Sequence, residues 1–217
     1  MSKKLVLTYL YFTIFFFDAL GVFVPEIISR QYTTFFPLPI LLLLYLYSIK
    51  KVNWLFVISL FCTFFGVIFF NIESFFKLGI VFYAAGVLFY VMISLKQASV
   101  ISTKSVIIAT LPFLVLYLAP LLLFSDAVRG DIFNYIILYS FFVGFFFLIS
   151  SLIYVNQQTR SNLWLLFSGS LFLFSTVIHG YNMFFGEILI LQFGVVVTFL
   201  LMHYAMYRYT IAQEIHA

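Results

Sequence analysis

Long apolar runs separated by short polar segments dominate the hydropathy pattern of this chain. Eight runs can be delimited, at residues 5–24, 34–49, 53–70, 75–94, 105–124, 132–155, 162–181 and 187–208. A helical residue rises about 1.5 Å and the hydrocarbon core of a bilayer is about 30 Å thick, so about 20 apolar residues cross it. The pattern therefore predicts an all-α polytopic bundle of eight transmembrane helices, forming a single transmembrane domain over residues 1–217.

Composition agrees with a membrane location. Of the 217 residues, 65% are hydrophobic and 8% are charged, whereas a soluble domain carries about 25% charged residues. A soluble protein this apolar has no means of covering its surface, so we expect an integral membrane protein. The single cysteine, Cys62, excludes a disulfide within the chain. The net charge of +4 reflects where the basic residues lie and does not indicate nucleic-acid binding.

The distribution of basic residues predicts the orientation, because cytoplasmic loops are enriched in Lys and Arg. With eight spans and a cytoplasmic N-terminus, eight of the eleven basic residues fall inside: Lys3, Lys4, Lys50, Lys51, Lys96, Lys104, Arg160 and Arg208. The outer side then holds Arg30, Lys77 and Arg129, with the acids Glu26, Glu73, Asp126, Asp131 and Glu187. We therefore expect both termini in the cytoplasm, an uncleaved first span, and a location in the cytoplasmic (inner) membrane of a bacterium.

Ionisable residues inside spans are candidates for function, because they are costly in lipid. Asp18, in the outward half of the first span, is either a general acid, base or cation ligand, or an acid paired or hydrated near the outer interface. Imidazole titrates near neutral pH, so proton transfer is one interpretation of His179 and His203; for both we favour a hydrogen bond to a neighbouring helix. The two histidines lie on different spans at opposite depths, so we expect no metal site, and no cofactor.

Small residues at positions 79, 85, 86, 169 and 180 indicate where helices can approach closely. We expect a compact bundle in which these positions lie at helix–helix contacts.

Several short segments keep the order and spacing of motifs found in one family of membrane proteins. They are Phe36-Pro37-Leu38-Pro39, Phe65-Gly66-Val67-Ile68-Phe69, Gly79-Ile80-Val81-Phe82-Tyr83 through Val87-Leu88-Phe89-Tyr90, Ser168-Gly169-Ser170-Leu171-Phe172 through Ser175-Thr176-Val177, Asn182-Met183-Phe184, and, more loosely, His203-Tyr204-Ala205-Met206. In these segments the chain resembles the YhhN family. Its characterised members are lysoplasmalogenases, eight-span proteins that hydrolyse the vinyl-ether bond of lysoplasmalogens.

The chain departs from the family pattern at three ionisable positions. Val67 and Thr176 stand where the resemblance implies Asp, and Val87 stands where it implies His. Vinyl-ether hydrolysis needs a proton delivered to carbon and a water activated against the oxocarbenium, work that suits carboxylates. Valine and threonine do not titrate usefully, so the resemblance implies a retained scaffold without the usual acid–base groups.

Four functions follow, in this order. The first is a YhhN-like membrane protein that binds a lipid or a membrane partner without the hydrolase chemistry; it predicts a largely apolar cavity open to one leaflet. The second is a lysoplasmalogenase-type hydrolase using displaced residues, for which Asp18 and His179 are the catalytic candidates. The third is a structural subunit of a membrane complex, and the fourth a small-solute transporter. For a lysophospholipid or another amphipathic ligand, we expect Ser175, Asn182 and Tyr90 to line the site.

Overall fold

Within the residues that the computed structural model describes, namely 2–96, 98, 102–124 and 132–216, the chain is all-α, as predicted. Arg129, Asp126 and Asp131 of the predicted outer face lie outside the described residues. The helices are α1 Lys3–Leu20, α2 Arg30–Thr33, α3 Pro37–Leu46, α4 Trp54–Phe70, α5 Phe76–Lys96, α6 Thr103–Phe124, α7 Ile132–Asn156, α8 Arg160–Phe185 and α9 Leu189–His216, with one 3₁₀ turn at Glu73–Phe75.

In the described part of the chain, four helical segments are long and apolar enough to cross a membrane: Glu73–Lys96, Ile132–Asn156, Arg160–Phe185 and Leu189–Gln213. They correspond to α5, including its preceding 3₁₀ turn, and to α7, α8 and most of α9. Their length and composition support the membrane character of the bundle. The count of eight spans and the cytoplasmic placement of both termini stay predictions.

The N-terminal quarter differs most from the hydropathy pattern. The helix α1 ends at Leu20, four residues before the predicted span ends, so Asp18 lies in its last turn. The helix α3 has only 10 residues, which cover about 15 Å. Turns and the single-turn helix α2 occupy much of the segment between them. Non-helical backbone at membrane depth is tolerated where it packs on protein or lines a cavity, and this segment does both.

Neighbouring helices pack as an antiparallel bundle. Extensive contacts join α4 with α5, α8 with α9, and α7 with both α5 and α8, while α1 packs against α3 and α9. Short connections make α4 antiparallel to α5, and α7 and α9 antiparallel to α8. The C-terminal ends of α1, α4 and α8 therefore lie at the same end of the bundle as the N-terminal ends of α5, α7 and α9.

Glycines allow two of these helix pairs to approach closely, as the small-residue pattern predicts. A Cβ atom on Gly79 would lie 2.6 Å from the backbone nitrogen of Phe70, so α5 meets the end of α4 backbone to backbone. A Cβ atom on Gly169 would overlap the Ser150 hydroxyl, which fixes the contact between α8 and α7. Larger side chains at either position force these helices apart.

One half of the bundle is filled by large buried side chains, and we call it the packed half. It is centred on Tyr45, Phe56, Tyr90, His203 and Tyr207. The hydroxyl of Tyr45 accepts a hydrogen bond from the backbone N–H of Asn53 at 2.8 Å. Tyr90 and His203 Nδ1 share a hydrogen bond of 2.7 Å that joins α5 to α9. These bonds offset the cost of burying polar groups among apolar side chains.

Candidate functional site

The other half of the bundle encloses a cavity of about 740 Å³, which we call the main cavity. Its walls come from the C-terminal halves of α4, α6 and α8, the N-terminal halves of α5, α7 and α9, and the segment from Asp18 to Phe35. All of these lie at the end of the bundle opposite the two chain termini. In the predicted orientation that end faces the outer leaflet.

The lining of the cavity contains both polar and apolar side chains. Polar side chains near the helix ends form its rim: Asp18, Arg30, Gln31, Thr34, Asn71 and Gln192. Apolar side chains from the middle of α7, α8 and α9 form its floor: Val143, Leu173, Phe199 and Met202. Between rim and floor the lining is mixed, with Ser140, Ser175 and Thr176 beside apolar and aromatic side chains. A polar rim above an apolar floor matches a molecule with a polar head and an apolar tail.

Asp18 lies at the rim and is held by the segment that follows α1. Only 2% of the residue is exposed. Its Oδ1 accepts hydrogen bonds from the hydroxyls of Thr33 at 2.7 Å and Thr34 at 2.9 Å, and Arg30 Nε lies 3.5 Å away. The sequence leaves two interpretations of Asp18 open, a catalytic or cation-binding acid and an acid paired near the interface. The observed contacts fit the paired acid. The residue also lines the cavity.

His179 lines the main cavity and the smaller pocket of about 240 Å³ that adjoins it. Its ring lies 5.4 Å from that of Phe70, measured between centroids. Its Nδ1 atom is buried without a hydrogen-bond partner among the described residues, so the expected bond to a neighbouring helix is wrong for this histidine. For His203 that expectation is confirmed by the bond to Tyr90.

Two of the three positions where the resemblance implies an ionisable residue face the main cavity. Val67 of α4 and Thr176 of α8 both line it. The Thr176 hydroxyl donates to the carbonyl of Phe172 at 2.9 Å and lies 3.2 Å from the hydroxyl of Tyr139, another lining residue. Val87, by contrast, is buried in the packed half and lines neither cavity.

The three predicted ligand-binding residues divide among three places. Ser175 lines the main cavity, and its hydroxyl has one long hydrogen bond of 3.5 Å to the carbonyl of Val195. Asn182 lines the smaller pocket. Its Oδ1 accepts from the Ile188 N–H at 3.2 Å, which fastens the turn between α8 and α9. Tyr90 is fully buried in the packed half and lines neither cavity, because its hydroxyl is directed to His203.

Sequence reasoning missed the residues that hold and neighbour Asp18. The hydropathy pattern places Arg30 and Thr33 between the first two predicted spans, Thr34 at the start of the second and Tyr139 within the sixth, and pairs none of them with Asp18. One signal was available: a carboxylate inside a span needs partners, and the nearest polar cluster in the sequence is the stretch from Arg30 to Thr34.

The arrangement holds few groups suited to acid–base work. No hydrogen bond joins any two of Asp18, Ser175 and His179 within the described part of the chain, and each has different neighbours. Nor do three His, Cys, Asp or Glu side chains come together as a metal site among those residues. The geometry instead provides a deep apolar volume with a polar rim.

Comparison with known proteins gives one match. The sequence model of the YhhN family matches residues 30–210, which includes every helix from α2 to α8 and most of α9. No curated protein and no solved structure matches the chain.

Proposed function

Because this chain belongs to the YhhN family, we propose that it is an integral membrane protein that binds a single-chain amphipathic lipid in the main cavity. The observation that carries the proposal is the volume of about 740 Å³ with a polar rim and an apolar floor. Sites for small molecules usually measure about 300–1,000 Å³ and are mostly apolar, with few polar groups that fix orientation. The ligand we propose has its headgroup at Arg30 and Asn71 and its chain toward Leu173 and Met202.

We propose that the protein binds this lipid and does not hydrolyse it, unlike the characterised members of the family. At the cavity wall, the positions where the resemblance implies carboxylates carry Val67 and Thr176. Neither side chain delivers or removes a proton at neutral pH. Among the described residues that line the cavity, Asp18 is the carboxylate, and its Oδ1 already accepts hydrogen bonds from the hydroxyls of two threonines.

We further propose that the cavity takes its ligand from the outer leaflet of a bacterial inner membrane, with both chain termini cytoplasmic. The distribution of basic residues supports this orientation. The polar rim would then lie at the depth of the lipid headgroups, where Arg30 and Gln31 meet water.

Mass spectrometry of bound lipids tests the binding proposal. The protein is purified from membranes in mild detergent, and its retained lipids are measured for the unmodified chain and two variants. Val195→Trp fills the main cavity from α9, since Val195 lines it. Val81→Trp is the matched control, because Val81 is 38% exposed on α5 and does not line the cavity.

We expect a stoichiometric single-chain lipid on the unmodified protein and on Val81→Trp, and its loss from Val195→Trp. Equal lipid retention by all three proteins would contradict the proposal. A co-purifying protein in place of lipid, abolished by surface changes and not by Val195→Trp, would favour a structural subunit instead.

A second candidate function is a lysoplasmalogenase-type hydrolase that uses displaced groups. It is favoured by one observation, that Asp18 and His179 line the same cavity. The assay is turnover of a lysoplasmalogen by the purified protein, with Asp18→Asn as the variant. We expect no turnover by either protein. Turnover by the unmodified chain that Asp18→Asn abolishes would establish the hydrolase and reject the inactive interpretation.

A further inference from the structure

Tyr83 of α5 lies in the wall of the main cavity, where side chains from three other helices hold its ring. The ring centroid lies 5.8 Å from that of Phe70 on α4, 6.3 Å from that of Tyr139 on α7 and 6.1 Å from that of Phe199 on α9. Gly66 of α4 leaves room for the ring, because a Cβ atom there would lie 3.1 Å from two of its carbon atoms. The ring is therefore held in position before any ligand arrives, which lowers the entropic cost of binding.

The hydroxyl of Tyr83 is free within the described part of the chain. It has no hydrogen-bond partner there, and it is not one of the buried polar atoms that lack a partner, so it touches open space. Because α4, α7 and α9 enclose the ring, that open space is the main cavity. The hydroxyl is thus a donor that a ligand in the cavity can use.

Other hydroxyls in the same lining have partners within their own helices or across the wall. The Thr176 hydroxyl donates its one hydrogen to the carbonyl of Phe172 at 2.9 Å. In the bond of 3.2 Å between the hydroxyls of Thr176 and Tyr139, the donor is therefore Tyr139. Ser140 also lines the cavity, and a helical serine can donate to a carbonyl of the preceding turn. A tyrosine hydroxyl is too far from its own backbone to do so, which leaves Tyr83 as the donor available to a ligand.

Tyr83 lies between the rim and the floor of the cavity. It is seven residues after Phe76, the first residue of α5, and Tyr139 is seven residues after Ile132, the first residue of α7. Seven residues of helix cover about 10 Å, whereas the rim lies at the helix ends. A lipid with its headgroup at the rim and its chain on the floor therefore passes the Tyr83 hydroxyl where headgroup and chain are joined.

We propose that Tyr83 determines which linkage the cavity accepts, because its hydroxyl donates a hydrogen bond to an ester carbonyl between the headgroup and the chain of the ligand. This rests on the lipid-binding function proposed above and specifies the linkage, not the headgroup. A carbonyl oxygen stands out from the chain. The corresponding alkyl ether has a methylene in its place, and its remaining oxygen lies within the chain, so it leaves the hydroxyl poorly paired in a site from which the ligand has displaced water.

An unmade hydrogen bond of a buried group costs more than a made one contributes. The position of Tyr83 therefore favours acyl esters over ethers. The characterised members of the family, by contrast, act on an ether-linked chain.

A monoacylglycerol and the alkylglycerol ether of the same chain length differ only in the carbonyl, so they test the linkage alone. Each displaces a fluorescent monoacylglycerol from the purified protein in detergent micelles. We expect the unmodified protein to bind the ester about 3- to 10-fold more tightly than the ether, the range of one neutral hydrogen bond. Tyr83→Phe removes the hydroxyl and keeps the ring, so it should bind both ligands with equal affinity. Comparison of the two proteins cancels any difference in partition into the detergent.

Infrared spectroscopy observes the hydrogen bond directly. The bound monoacylglycerol carries an isotope label in its ester carbonyl, and we expect its stretching frequency to be lower in the unmodified protein than in Tyr83→Phe. Tyr9→Phe is the matched control, because Tyr9 is 60% exposed on α1 and does not line the cavity. It should keep both the preference and the lower frequency. Thermal unfolding in the same detergent checks that each variant is folded.

Different results contradict the assignment, the linkage preference and the lipid-binding function. A folded Tyr83→Phe variant that keeps the ester preference and the carbonyl frequency would overturn the assignment to Tyr83. Loss of both in Ser140→Ala, with both kept in Tyr83→Phe, would place the donor on Ser140 instead. Equal binding of ester and ether by the unmodified protein would overturn linkage recognition while leaving lipid binding intact. No binding of either ligand would overturn the lipid-binding function itself.

Discussion

The packed half and the cavity half of this bundle are built from the same helices and differ in how they use volume. Around Tyr45, Phe56 and Tyr90, aromatic rings fill the space between α3, α4 and α5, and Tyr90 also contacts α9 through His203. At the opposite end, α4, α5, α7, α8 and α9 separate around about 740 Å³ of open space. One end of each helix therefore supports the fold, and the other end is available to a ligand.

Polarity does not distinguish the two halves. Each contains buried polar atoms without partners among the described residues: His203 Nε2 and Tyr209 Oη at the packed end, and Arg30 Nε and His179 Nδ1 at the cavity. Ionisable residues within spans are usually taken as signs of function. Here an adjoining cavity is a better indication of function than the ionisable residue itself. His179 lines the main cavity, whereas His203 does not.

The largest expected difference in stability between the two halves comes from placing a larger side chain in each of them. Gly169→Leu, in the contact between α8 and α7, forces a side chain into Ser150 and Phe147. We expect a loss of about 3 kcal/mol or more in the free energy of unfolding, the upper end for overpacked sites. Thermal unfolding in detergent, followed by loss of helical circular dichroism, measures it.

Val195→Trp is the counterpart in the cavity half and should leave the unfolding temperature nearly unchanged, because the added ring enters open space. Equal destabilisation by the two changes would mean that the cavity is not open in the protein as it exists in detergent.

Removing a hydroxyl from the packed half should have the next largest effect. Tyr90→Phe leaves His203 Nδ1 without its partner in a site that excludes water. The expected cost is about 1–3 kcal/mol, the desolvation penalty of a buried unsatisfied group. Chemical denaturation of the unmodified and variant proteins in mixed micelles gives the difference. His203→Phe with Tyr90→Phe should recover part of it, because both polar groups are then absent.

Removing a hydroxyl from the cavity half should have the smallest effect. Ser175→Ala loses one hydrogen bond of 3.5 Å to the Val195 carbonyl at a cavity wall. We expect a change within about 0.5 kcal/mol, as for positions away from critical contacts. The same denaturation experiment measures it, and lipid retention should persist. A loss comparable to that of Tyr90→Phe would show that the two halves are equally sensitive.

The sequence predicted the later helices better than the first ones. Uninterrupted apolar runs define α7, α8 and α9, and backbone hydrogen bonding in lipid leaves helix as the only choice for them. The region from Asp18 to Leu46 was mispredicted in detail because its structure depends on a long-range contact. Thr33 and Thr34 bond to Asp18, and no local pattern marks that pairing.

Prediction of the site was limited by the same physics. Hydropathy identifies residues that lie in the membrane but not which of them face one another across a bundle. Asp18 and His179 stand out in the sequence as ionisable residues within spans and Ser175 as part of a family-like segment, and all three line the main cavity. Tyr90 was selected by its place in a motif, and its neighbours on α4 and α9 enclose it instead. The hydropathy pattern predicts only that Arg30 lies on the outer face, because its side chain turns back over Gly21 only in the folded chain.

The most direct test of the central claim is to locate a bound lipid chain. A lysophospholipid with a diazirine near the end of its chain is bound to the purified protein, photolysed, and mapped by peptide mass spectrometry. We predict labels on Leu173, Phe199 or Met202 at the cavity floor, removed by Val195→Trp. Labels confined to the lipid-facing surface, such as Ile107 and Leu111 of α6, which are 68% and 69% exposed, would contradict a lipid site inside the bundle.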